Sequence, residues 1–122
     1  MKKEFVPYEL AVKLKKLGFD EPCLTCYDKL EMIASHSKNV FDYKKYNTSG
    51  YMVSRPTFSQ AFRWFRVKYD LYSFVFKFDE GFGYETYKEG VTQTNESFDT
   101  YEEAELACLN KLIEIVEQQN QK

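Results

Sequence analysis

A chain of 122 residues is the length of one ordinary domain, and residues 1–122 are read as a single domain. With 18% aromatic residues it is too rich in core-forming side chains to be a disordered tail, and no stretch approaches the run of about 18 apolar residues that a membrane span needs. The formal charge of −2 hides a strong polarity. Between Tyr43 and Tyr69 lie Lys44, Lys45, Arg55, Arg63, Arg66 and Lys68 with no acid, whereas from Asp70 onward twelve acids face four lysines. The overall pI near 5.5 argues against a general nucleic-acid coat, while the local charge permits a local anionic partner.

The start, MKKEFVPYEL, is basic without the apolar run of a secretory leader, so the chain reads as cytoplasmic with reduced thiols. A first helix is predicted over residues 7–17. Pro7 suits the first helical position, where its missing N–H is no loss. Leu10, Ala11, Leu14 and Leu17 make one apolar face. Gly18 stands where a left-handed cap residue is wanted, and Phe19 is placed to touch Leu14, as in a Schellman ending. CLTCY and LEMIAS read as two short strands joined at Asp28-Lys29. Residues 36–55 are polar and rich in turn formers, with Tyr51-Met52-Val53 as a candidate short strand inside a long connection.

A second helix follows Thr57, whose hydroxyl and the Gln60 amide have capping-box spacing. Phe58, Ala61, Phe62, Phe65 and Tyr69 fall on one stripe. Arg63 and Arg66 lie on another face, and Trp64 stands at the border between them. LYSFVFKFD alternates with period two and reads as a strand. The aromatic residues it carries suggest a central place in the sheet. FGYETYKE returns beside it, and residues 90–98 read as a loop. A third helix from about 100 to 117 is announced by Thr100 with Glu103. Ala104, Cys108, Leu112 and Ile115 form its stripe, widened by Leu109 and Val116, and EQQNQK reads as a frayed tail. The fold class is α+β, an antiparallel β-sheet with three helices in the order α-ββ-α-ββ-α, most simply a single sheet with the helices on one face.

No catalytic set is legible. Cys23 and Cys26 form C-x-x-C, but within a strand rather than at the strand-to-helix turn that lowers a thiol pKa. Residues three apart on a strand face opposite ways, which opposes both a disulfide and shared metal ligation. His36 and Cys108 would complete a Cys3His zinc set, yet His36 lies in a predicted loop and Cys108 on an apolar stripe. All three cysteines therefore read as buried core residues and His36 as a solvated loop residue. Neither a metal nor a cofactor is expected. There is no G-x-x-x-x-G-K and no G-x-G-x-x-G to cradle phosphate.

The partner signal is RPTFSQAFRWFR. Arg55, Arg63, Arg66, Lys44 and Lys45, with Trp64, are the candidate binding residues. Arginine forks hold phosphate by two bonds, and an indole stacks on bases. Arg, Trp and Tyr are also the residues enriched at protein-binding hot spots. The plainer alternative is a solvated helix face whose guanidiniums pair with the acids after Asp70.

EFVPYELAVKLKKLGFDEPC, PTFSQAFRWFRVKYDL and FDTYEEAELACLNKLIEIV, about half of the chain, together resemble a family of small proteins encoded by gut Bacteroidetes, their phages and mobile elements. The resemblance implies a small cytoplasmic binding or modulating factor and brings no catalytic residue with it. The reading is a non-enzymatic interaction module whose partner is another protein or a second copy, with nucleic-acid binding through the second helix as the alternative and no membrane partner.

Overall fold

A computed structural model describes residues 4–28, 30, 33–34, 44–47 and 50–121. The chain falls into two compact units, Met1–Thr57 and Phe58–Lys122. The α+β class, the three helices and their order α-ββ-α-ββ-α hold, with a third strand joining each expected pair. Two three-stranded antiparallel sheets, one per unit, take the place of a single sheet.

The first unit holds α1 (Tyr8–Lys16), β1 (Thr25–Tyr27), β2 (Ile33–Ala34) and β3 (Val53–Arg55). Pro7 sits one position earlier than expected, at the N-cap. The end of α1 is as the sequence indicates. Gly18 takes φ +99, and the Phe19 and Gly18 amides donate to the carbonyls of Leu14 and Lys15 at 3.0 Å each. These are the two bonds of a Schellman motif, and only glycine takes that φ without a Cβ penalty. Leu10, Ala11 and Leu14 are buried, while Leu17 is half-buried. The sheet order is β2-β1-β3, with Cys26 opposite Ala34 on one side and Ser54 on the other. Asn47 links two other points of this unit: its amide donates to the Phe19 carbonyl at 2.7 Å, and its oxygen accepts the Ser54 N–H at 2.7 Å.

The second unit holds α2 (Phe58–Tyr69), β4 (Tyr72–Phe78), β5 (Gly81–Lys88), β6 (Val91–Phe98) and α3 (Tyr101–Asn120). The three strands form a meander, β4-β5-β6. Residues 90–98, read as a loop, are therefore a strand apart from Gly90. VTQTNES is exposed along its whole length, so it has no buried face and no apolar alternation to read. Glu89 and Gly90, at φ 51 and 83, make the two-residue turn that starts it. A bulge at Ser97, φ 91, separates the Phe82–Phe98 pair from Gly83–Glu96. β4 is an edge strand, not a central one.

Alternation assigns the faces. Ser73, Val75, Lys77, Phe82, Tyr84 and Thr86 share the inner face, where α3 lies: Ser73 hydrogen-bonds Cys108, and the Phe82 and Tyr101 rings meet edge-on at 6.3 Å. Thr100 caps α3, accepting the Glu103 N–H at 3.1 Å and donating to the Glu103 carboxylate at 3.1 Å. Ala104, Cys108, Leu109, Leu112, Ile113 and Val116 are buried. Ile113 takes the place the sequence reading gave to Ile115, and the helix runs on through the expected tail to Asn120. No described helix is long and apolar enough to cross a membrane.

Candidate functional site

The candidate residues divide between the units. Arg55, with Lys44 and Lys45, belongs to Met1–Thr57, and Arg63, Trp64 and Arg66 to Phe58–Lys122. Two of the six are corrected by burial. Arg55 is only 7% exposed. Its guanidinium carbon lies 4.1 Å from the Phe5 ring centroid and 5.5 Å from that of Tyr27. Its Nε donates to the Tyr27 hydroxyl at 3.3 Å, and that hydroxyl donates to the Val6 carbonyl at 2.7 Å. Two aromatic faces and a hydroxyl thus hold the cation inside. Trp64 is also buried, meeting Phe65 edge-on at 5.1 Å and Tyr69 at 5.4 Å. The apolar face of α2 turns toward the indole, which has the most area to remove from water. Phe62 and Tyr69 are consequently half-buried rather than central.

Lys44 and Lys45 are exposed, and the Lys44 backbone pairs with that of Cys23 at 2.7 and 2.9 Å. Arg63 is exposed and Arg66 half-buried, and among the described residues neither has an ion-pair partner. The internal neutralisation weighed from the sequence is not seen at these two arginines.

The cysteines are buried thiols. Burial, then the nearby charge of Asp28, raises the Cys26 pKa. Burial pushes the Cys108 thiol up to about 12; a hydrogen bond with Ser73 works against the rise and the Glu105 charge adds to it. Thiols shifted this way are poor nucleophiles and poor ligands. Among the described residues no group of three His, Cys, Asp or Glu side chains could hold a metal. His36 lies outside the described residues.

What sequence reading missed is the outer face of the second sheet. Tyr72, Phe74, Phe76 and Phe78 of β4 project there, with Gly81, Gly83, Glu85 and Tyr87 of β5 opposite them. Tyr72 is 48% exposed, Phe74 55% and Tyr87 46%. Consecutive β4 rings lie 6.4 and 6.3 Å apart, tilted by 55° and 50°. Phe76 lies over Gly83, where a Cβ would come within 2.9 Å of its ring. Among the described residues of these strands, the charges on this face are the carboxylates of Glu85 and Glu96. The period-two aromatic pattern marked these rings in the sequence, but not which side of the sheet the helices leave open.

Grooves open among the described residues of this unit. One of about 540 Å³ lies among Leu71, Thr86, Lys88, Gln93, Ile115 and Gln118, and the Lys88 ammonium there already donates to the Tyr69 carbonyl at 3.0 Å. Another, of about 290 Å³, runs beside β4 between Phe62 and Arg66 of α2 and Tyr101 and Glu105 of α3. Burial first, then Glu102, raises the Glu105 pKa. Burial first, then Glu105, also raises that of Tyr101.

The chain matches no protein-family model, no curated protein and no solved structure.

Proposed function

We propose that this chain is a non-enzymatic interaction module that binds protein through the outer face of the β4-β5-β6 sheet, the cytoplasmic factor of phage or mobile-element type that the family resemblance implies. The observation that carries the reading is the half-exposed set Tyr72, Phe74 and Tyr87, contiguous on one sheet face with Phe76 and Phe78. Apolar surface left in water forgoes about 25 cal/mol per Å² of stabilisation, and contiguous apolar patches mark interaction sites on soluble domains. Rigid rings are efficient anchors because few torsions are frozen when they are covered.

Nucleic acid is the second reading, favoured by the absence of ion-pair partners for Arg63 and Arg66 among the described residues. Bases stack on aromatic sheet faces. Here, however, Glu85 and Glu96 would repel a phosphate backbone, and among the described residues of these strands the face offers no cation to neutralise it.

The test uses the intact protein and a Phe74→Asp/Tyr87→Asp double variant as baits in host lysate, with a low-salt titration of labelled DNA and RNA oligonucleotides beside them. The proposal expects proteins retained by the native face and lost from the double variant, and a flat oligonucleotide titration. Equal retention by both baits would remove the face from the account. Saturable, salt-sensitive oligonucleotide binding would replace it with the second reading.

A further inference from the structure

The β4-β5-β6 sheet has two edges of different character. β6 is exposed and polar, whereas β4 carries four aromatic rings and one charge, Lys77. β4 pairs only with β5, so among the described residues its other edge has no strand partner. Its register is regular, without a bulge or a proline. Such an edge is a template for another strand unless something covers it.

The 290 Å³ groove beside this edge is lined by Ser73, Phe74 and Val75. Its walls come from one face of α2 (Ser59, Phe62 and Arg66) and from the first turns of α3 (Tyr101 and Glu105). That volume is at or below the lower end of roughly 300–1,000 Å³ for small-molecule sites, so it suits side chains of a strand lying along the edge better than a cofactor. Among the described residues Glu105 has no ion-pair partner.

We propose that the occupant is a second copy of this chain, its β4 pairing antiparallel with β4 about Val75 so that the two sheets become one across a two-fold axis. This rests on the reading of the aromatic face as an interaction surface and names its partner. Centred on Val75, the register sets Phe74 opposite Phe76 of the second copy and Tyr72 opposite Phe78, which continues the row of rings on the outer face. Directly opposed aromatic pairs are among the favourable cross-strand contacts. The same register sets Lys77 opposite Ser73 of the second copy on the inner face, beside Glu105, which lines that groove. The two-fold axis makes this cation–carboxylate contact twice. Lys77 lies on an edge where lysine usually discourages pairing. Here it makes pairing selective, since a partner that brings no carboxylate to that point leaves the ammonium only the Phe82 ring, 5.1 Å from its centroid.

Sedimentation velocity on the intact protein from about 5 to about 300 µM tests the pairing, a range that covers weak self-association. The weight-average mass is expected to rise from that of the 14.5 kDa chain toward twice that value. Lys77→Glu and Glu105→Lys should each weaken the dimer about tenfold or more, and combining them should restore it, as for a close charge pair. Because Lys77 is exposed, its replacement leaves the fold in place. A Val75→Cys variant supplies an independent readout. A short bismaleimide should link it into dimers, while Val91→Cys on the other edge should stay unlinked. A monomer throughout the concentration range, or a dimer indifferent to Lys77→Glu, overturns the proposal. A monomer still leaves the aromatic face to be judged by the Phe74→Asp/Tyr87→Asp baits, so the two failures are distinguishable.

Discussion

The Arg55 guanidinium lies 4.1 Å over the Phe5 ring and donates from Nε to the Tyr27 hydroxyl. Arg55 is therefore part of the first unit's interior, and its removal is a stability experiment. Arg55→Ala is expected to lower stability by about 2 kcal/mol or more, the size of a desolvated cation–π contact with lost packing. Arg63→Ala, on an exposed face, should change it by under about 0.5 kcal/mol. Urea unfolding with a common m-value compares them, and equal effects would contradict the placement of Arg55.

Phe65 is fully buried, while Phe62 is half-buried beside the β4 groove. Phe65→Ala should cost about 3–5 kcal/mol, as for a large ring deleted from a packed core. Phe62→Ala should cost only about 1 kcal/mol, since roughly half of its transfer free energy is realised in one chain. The same urea series separates the two, and a larger loss at Phe62 would reverse the assigned faces of α2.

Gly83 is held small by its surroundings. A Cβ there would meet the Asn95 carbonyl oxygen at 2.9 Å and the Phe76 ring at 2.9 Å. The carbonyl belongs to the β5–β6 ladder and cannot move away cheaply. Gly83→Ala should destabilise by about 1–3 kcal/mol through overpacking and displace the Phe76 ring. Thermal unfolding with aromatic near-ultraviolet dichroism checks both effects, and an unchanged melting temperature would contradict the close approach.

The thiols should be inert in the native state. Iodoacetamide at about pH 8 is expected to label none of the three cysteines until denaturant is added, since thiolates are the reactive form. The sign of the alkaline limb follows from the Cys108 pKa of about 12. Above about 8.5, where an unfolded thiol ionises, the folded state keeps the proton that the unfolded state loses. Stability is therefore lost as pH rises from there through about 12, and the raised pKa values of Cys26, Tyr69 and Tyr101 act in the same direction. Cys108→Ala should flatten this limb, and an unchanged slope would contradict the shift.

Local signals were legible in the sequence because their causes are local. Gly18 and Phe19 close α1, and Thr100 with Glu103 opens α3, through atoms within a few residues of one another. Elements set by distant partners were not legible. β6 has no apolar side chain pattern, and it exists because β5 offers it a ladder. Arg55 reads as a surface cation until the rings of Phe5 and Tyr27 are brought to it. Trp64 and Phe62 flank the same helical stripe, and periodicity alone does not say which one turns inward. The β4 alternation announced a strand, but its rings suggested a buried centre where the sheet order makes an exposed edge.

The central claim, that the aromatic face of the second sheet meets another protein chain, is tested most directly by site-specific photo-crosslinking in the host cell. A benzophenone side chain at position 74 or 87 should give a discrete higher-mass protein adduct, whereas one at Val67, 75% exposed on α2, should not. Irradiated protein that remains free at positions 74 and 87, or that crosslinks only at 67, would contradict the claim.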